Sequence, residues 1–486
     1  MQRQLKQTRN ISLTGSSRIS ASPKLTCVLS LFRPFKISAL VLLMAIMIFV
    51  GQSLKAQSFT EFDAETYRLY TEKNWKELVR TGREGLKKDF DYYYLRMRIG
   101  IAYYERENYK SAQSHFKKAL EFNEEDPIAL EYLYFSYLGG GQSQQAVLLY
   151  KSFTPSMKEK IPSHGQKIVE RVSVEYLFNK TSTDDLIADP ATFDGLPSGV
   201  QVITRSYHNM NIALSHYMHP GTSFTHAYTY LGKDNYYYYD DGSDRFGVDG
   251  QKVNQHQYYL SPSFTTGRGL VISPSFHFLY VGFQVPYMTA PVPGPPNLPP
   301  SGGSIAYTED SESQLVGGLS LTKFQGPFSI RLGTIYSTLN NANQLTGSVG
   351  LTWYPLGNQD IYLGGSVNAH WGDLGERGLS LIQDFVFGYG IASKVWIEIN
   401  ASGGNMKNYT ESNAYIVYNG LDWMRYKVLG IIIVPVTAKG SSFYVGVRYS
   451  DYGNRMITFD PALAENTVNE LNFNSTSIFG GLSWKF

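Results

Sequence analysis

Runs of about ten residues in which apolar and polar side chains alternate recur from residue 170 onward, the length a strand needs to cross a bilayer at a tilt. No other feature limits the possible folds of this chain so strongly. Leu345, Gly347, Val349, Leu351 and Trp353 share one side of an extended strand, with Thr346, Ser348, Gly350, Thr352 and Tyr354 on the other. Ile361 to His370, Val395 to Asn400 and Phe443 to Ser450 repeat the pattern, and Leu270 to Tyr280 does so with His277 on the polar side. The last thirteen residues, Asn474 to Phe486, alternate to the final position: Ile478, Gly480, Leu482, Trp484 and Phe486 oppose Ser477, Phe479, Gly481, Ser483 and Lys485. Strands with one greasy face and one mostly polar face predict an all-β antiparallel transmembrane up-and-down barrel over 169–486, its apolar side toward lipid.

The connections support this reading. Short turns at Pro220-Gly221, Gly267–Gly269, Gln325–Pro327, Pro355–Asn358, Ala392–Lys394 and Ala438–Gly440 alternate with longer loops at 232–252, 284–310, 403–423 and 451–472. Transmembrane barrels keep short turns at the periplasmic end and long loops outside. Counting back from Phe486 gives an even total, about 14 strands, once ERVSVEYLFNK near 170–180 is taken as the first. The run PVPGPPNLPP within 284–310 is extended and cannot pair as a strand. On the inward side lie Asp384, Glu398, Arg425, Lys427, Arg448 and Lys485, expected to pair across the lumen wall.

Composition agrees. Only 17% of the 486 residues are charged, against about 25% in an average soluble domain, and there are 45 Gly and 37 Tyr. One long apolar run, ISALVLLMAIMIFVGQSLKA (37–56), follows seven basic residues and no acid, and Leu54-Lys55-Ala56 resembles a cleavage site. Residues 1–56 therefore read as a secretory signal peptide with a long basic n-region. Losing its eight basic residues takes the formal charge from +2 to −6, so the basic balance gives no case for nucleic-acid binding. The single cysteine, Cys27, lies within that leader, which leaves no thiol chemistry to the mature chain.

Between 57 and 168 the period changes. EKNWKELV (72–79) matches RENYKSAQ (106–113) at an offset of 34, and the same offset relates Tyr103 to Tyr137, Ala112 to Ala146 and Phe116 to Tyr150. A 34-residue helix–turn–helix period resembles the tetratricopeptide family, which implies an all-α solenoid of three units. Gly100, Tyr103, Ala112, Phe116 and Ala119 match its small and large packing positions, whereas Leu78, Gly82 and Glu124 depart from it. By that resemblance, Tyr67, Tyr70, Tyr94, Met97, Ile101, Tyr104, Glu131 and Phe135 line a concave groove suited to a periplasmic protein or polysaccharide.

Catalytic and cofactor motifs are missing. No G-x-S-x-G occurs, and the Gly pairs at 302–303 and 403–404 lack the Lys and helix of a phosphate loop. His208, His216, His219 and His226 are spaced 8, 3 and 7 apart, a spacing that makes neither a helical pair nor a recognised strand cage. Hence no enzyme, cofactor or metal is expected.

The order leader, tetratricopeptide-like repeats, barrel is similar to small repeat-plus-barrel proteins of Gram-negative bacteria and, more distantly, to exopolysaccharide export porins. The terminal Phe486 resembles the signal read by the barrel-assembly machinery. That resemblance implies a cell outer membrane protein with its repeats in the periplasm. The function expected is a channel or export protein whose repeats recruit a partner or polymer. The alternative is a non-conducting anchor or assembly protein; an outer-membrane enzyme is less favoured.

Overall fold

A computed structural model describes residues 59–486 apart from 162, 164–167, 182, 184–197, 241–243, 290–302, 373, 375–377, 392–393, 438–439 and 461–464. The expected leader, 1–56, and the proline-rich run, 291–300, lie outside the described residues.

Among the described residues seven helices precede the first strand: α1 (Phe59–Thr71), α2 (Trp75–Lys87), α3 (Tyr93–Glu105), α4 (Tyr109–Phe122), α5 (Pro127–Gly139), α6 (Ser143–Tyr150) and α7 (Pro155–Lys160). Their starts are written locally. Asn108 caps α4 by accepting from the Ser111 N–H, Asp126 caps α5 from Ala129 with Pro127 at the first helical position, and Thr154 caps α7. Consecutive helices pack closely because small residues sit where they cross. A Cβ on Gly100 would lie 2.6 Å from the Phe116 ring, and one on Gly82 would lie 2.5 Å from Ile99. Gly82, which breaks the repeat pattern, thus makes room for a side chain of α3.

The remaining chain is a closed antiparallel barrel of fourteen staves in the order β1 (Val169–Thr181), β2 (Ser198–His219), β3 (Thr222–Asp240), β4 (Arg245–Thr265), β5 (Leu270–Met288), β6 (Ile305–Gln325), β7 (Phe328–Ser337), β8 (Gln344–Trp353), β9 (Ile361–Trp371), β10 (Leu379–Ile391), β11 (Val395–Met406), β14 (Trp423–Pro435), β15 (Ser442–Asp460) and β16 (Glu465–Lys485), with β16 closing onto β1. Arg171 pairs with Lys485 and Thr181 with Ser475, so the last alternating strand seals the ring. Closure leaves no free edge in the wall, which is what a sheet needs in hydrocarbon. Val349, Leu351, Val367, Val447 and Ile478 are exposed on the outside, whereas Thr346, Asn368, His370 and Ser477 are buried inside. An apolar belt around a polar interior places this barrel in an outer membrane.

Two of the expected loops are strand. Most of 232–252 belongs to β3 and β4, and most of 451–472 to β15 and β16. Alternation is weaker there, but the ladder runs on, with Tyr239 opposite Phe246 and Asp460 opposite Glu465. Above Gly453, β15 has no β14 partner on one edge, and that edge pairs with β2 (Ile457 with Val200, Phe459 with Ser198). The β15–β16 ribbon therefore leans across the long-loop mouth.

At the opposite end the helices meet the short turns. The Lys110 N–H donates to the Gly357 carbonyl (2.9 Å), Gln144 hydrogen-bonds Ser223 and Thr265, and Leu148 lies against Gly221. The buried Lys110 ammonium donates to the Gly140 carbonyl (3.0 Å) and sits 4.0 Å from the Tyr354 ring centre. Helices and barrel form one compact unit, residues 59–486.

Candidate lumen gate

The connection between β11 and β14, expected as an outer loop at 403–423, turns inward instead. It carries a short hairpin, β12 (Tyr409–Glu411) and β13 (Ile416–Tyr418), paired by three rungs. At its tip Ser412, Asn413 and Ala414 all have positive φ (53°, 58° and 68°), a conformation that costs a residue other than glycine. Fixed partners hold the tip there. His277 Nδ1 donates to the Ala414 carbonyl (2.7 Å), Tyr259 OH to the Asn413 carbonyl (3.2 Å), and Asn413 Nδ2 to the Ser273 carbonyl (3.0 Å). Tyr415 OH donates to Asn211 Oδ1 (2.9 Å), and its ring meets Tyr259 edge-on. Ala414 is fully buried among Leu279, Val316, Ile335 and Leu339.

The geometry of the ring gives this contact its meaning. The hairpin is rooted between the eleventh and twelfth staves, and its tip bonds the fourth and fifth, half the ring of fourteen away. It crosses the whole diameter. Its root is tied as well. His370 Nε2 bonds the Lys407 carbonyl (3.1 Å), and Asn340 Nδ2 bonds both Asn408 and the Asn419 carbonyl; the returning arm reaches the far wall too, where Asn419 Nδ2 bonds Gln255 of β4 and Gln314 of β6. The two inward histidines that sequence periodicity could only place in the lumen are thus anchors of the hairpin, one at each end.

The hairpin splits the interior. One cavity of about 390 Å³ lies between it and the short-turn end, lined by hydroxyl and amide side chains such as Ser329, Ser348, Thr352, Ser366, Asn368 and Asn400. Another of about 130 Å³ lies on its other side, beside Tyr207, Lys233, Asp422, Arg448 and Tyr452.

Four of the expected lumen charges, Asp384, Glu398, Lys427 and Arg448, line these spaces with other partners than foreseen. Asp384 accepts from Ser366 (2.8 Å) and Asn368 (2.7 Å), and Glu398 accepts from Tyr362 and Asn400. Neither forms an ion pair among the described residues. Lys427 binds Glu411 of the hairpin (2.5 Å) and Tyr418 OH (2.7 Å), while Arg448 donates to Tyr207 and Ser477. Arg425 does not face the lumen. The register shifts between Met424 and Tyr426, and this bulge brings Arg425 to Asp451 (2.5 Å), which stands between the two inward residues Ser450 and Tyr452. Lys485 is exposed at the short-turn rim. The cross-lumen pairing of acids and bases is therefore replaced by pairing within neighbouring staves and to the hairpin.

Of the residues expected to line a helical groove, Tyr67, Tyr94 and Glu131 are exposed. Tyr70, Tyr104 and Phe135 are half-buried against the helical core, and Met97 and Ile101 lie within it beside Phe116 and Tyr134. Arg98, ion-paired with Asp63 (2.6 Å), lies over the Tyr67 ring. Among the described residues, no group of three or more His, Cys, Asp or Glu is placed to hold a metal ion.

A closed fourteen-stave barrel with an apolar belt and an internal plug is of the outer-membrane type. The fold is similar to solved outer-membrane transporters and channels. The P. putida toluene transporter TodX aligns over 68% of this chain and 92% of its own at 8% identity and a TM-score of 0.41. A Pseudomonas aeruginosa FadL homologue aligns over 65% and 90% at 9% identity and 0.39, and the NanC porin over 48% and 94% at 14% identity and 0.27. No protein-family model and no curated protein matches the sequence.

Proposed function

We propose that this protein is a gated outer-membrane channel for small polar solutes, closed by the hairpin at 407–422. The observation that carries the reading is the hairpin's attachment. It bars the full diameter, yet it is held by individual side-chain bonds and three backbone rungs, with cavity space on either side. Releasing its tip costs four hydrogen bonds to the wall, each worth about 1 kcal/mol net. The hydroxyl, amide and charged side chains that line the larger cavity, Ser348, Asn368, Asp384, Glu398 and Lys427 among them, offer contacts to hydrated cargo. In this reading the short-turn end faces the periplasm. The helices, tetratricopeptide-like in their 34-residue period, offer the Tyr67–Tyr94 face there to a protein or glycan partner.

Planar-bilayer recording tests this. Deleting 408–420 is expected to raise single-channel conductance well above that of the intact protein. Because Cys27 lies in the leader, paired cysteines at Ala414 and Val316, neighbours in the closed state, form a clean lock: conductance is expected to disappear on oxidation and return with reductant. A second reading, a non-conducting anchor, is favoured by the β15–β2 pairing that leans across the mouth. A barrel that stays silent after the deletion would establish the anchor and sink the channel.

A further inference from the structure

The spacing of His208, His216, His219 and His226 along the chain hides how the barrel register arranges them. On β2 the inward side is fixed by Asn211, which meets Tyr415, and by the buried Ala213; His208 and His216 therefore face outward. In the β2–β3 ladder His216 pairs with Phe224 and Leu214 with His226, so His216 and His226 are diagonal neighbours on the outer face. Their Nε2 atoms lie 3.2 Å apart, with the rings within 11° of parallel. They sit only a few rungs above the Pro220-Gly221 turn, at the rim, where water reaches the wall.

We propose that His216 and His226 form a two-imidazole site for a divalent transition-metal ion of the zinc, copper or nickel class. Two nitrogens each 2.0–2.1 Å from a tetrahedral ion stand about 3.3 Å apart, close to the separation found. Imidazole is a preferred donor for these ions. The ring nitrogen opposite the metal must be held by a hydrogen bond, and His226 Nδ1 lies 2.7 Å from Tyr258 OH on β4. Phe224 stacks on His216 and fixes that ring. Water completes the coordination. The site clips β2 to β3 beside Ser223, where Gln144 of α6 docks, so an ion bound there stiffens the rim that carries the helices.

The experiment uses the full-length protein in detergent, without a histidine tag and stripped with chelator, titrated calorimetrically with Zn²⁺, Cu²⁺ and Ni²⁺. One site per chain is expected for at least one of the three ions. His216→Ala and His226→Ala should each weaken it at least tenfold, while His219→Ala and His208→Ala leave it unchanged. In the copper-loaded protein, electron paramagnetic resonance should report two nitrogen ligands, falling to one in either variant. Heat-modifiable migration on gels confirms that the variant barrels are folded. No binding by any of the three ions, or binding that survives loss of both His216 and His226, overturns the site.

Discussion

Burial sets the behaviour of two titratable side chains in the helices. Burial, with Arg96 and Arg83 nearby, pushes the His115 imidazole down to about 4. Unfolded, it titrates near 6.5, so between pH 4 and 6.5 the unfolded chain binds the extra proton and folded stability rises with pH. Lowering the pH from 7 to 5 is expected to cost the helical region about 2 kcal/mol, read as a shift in helical denaturation by circular dichroism, and His115→Gln should flatten that dependence. Lys110 shifts in the same direction, but in an alkaline window. Burial pulls its ammonium down to about 8 from an ordinary value near 10.5, so docking of the helices tightens as pH rises through that interval. Lys110→Ala removes the bond to the Gly140 carbonyl and the contact with Tyr354. Hydrogen exchange at the Lys110 amide, which donates to Gly357, is expected to quicken several-fold. None of this is legible in the sequence. Lys110 and His115 sit in a stretch rich in Lys and Ser; Lys110 is covered by Tyr354 of the barrel, far off in the chain, and His115 stacks on Tyr103 of the preceding helix.

Elements whose partners are periodic were readable, and elements whose partners are singular were not. The fourteen staves follow from alternation and loop parity because lipid on one face and water on the other impose the same two-residue rule on each strand. Even β1, whose mixed Glu-Arg-Val-Ser pattern is the least regular, takes its expected place between β16 and β2. The inward hairpin obeys no such rule. Asn-Tyr-Thr-Glu-Ser-Asn-Ala reads as a polar outer loop, and only side chains half a ring away, Tyr259 and His277 among them, turn it into a plug. Those anchors make a prediction. Tyr415→Phe deletes one bond, to Asn211, and is expected to loosen the tip by about 1 kcal/mol; His277→Ala leaves a buried carbonyl unpaired at about 1–3 kcal/mol. Hydrogen exchange of residues 412–416 should accelerate in that order. In bilayers the same order is expected in the frequency of opening, and equal exchange in all three proteins would show that the anchors do not hold the tip.

At the scale of the whole molecule, the wall is closed by its own ladder and the helices contribute only at the rim. A chain lacking residues 59–160 is therefore expected to keep a heat-modifiable barrel on gels, with the rim at Gly221, Thr265 and Gly357 newly open to exchange. The hairpin has a mechanical side too. A ring of fourteen staves resists stretching along its hydrogen bonds but flattens easily, because changing a circle into an oval breaks no rung. A tie fixed at two points half a circumference apart removes that freedom, as a spoke keeps a hoop round. If the hairpin leaves, the outline of the barrel is set by the surrounding bilayer, so membrane thickness and lateral pressure become determinants of the open cross-section while having almost no leverage on the closed one.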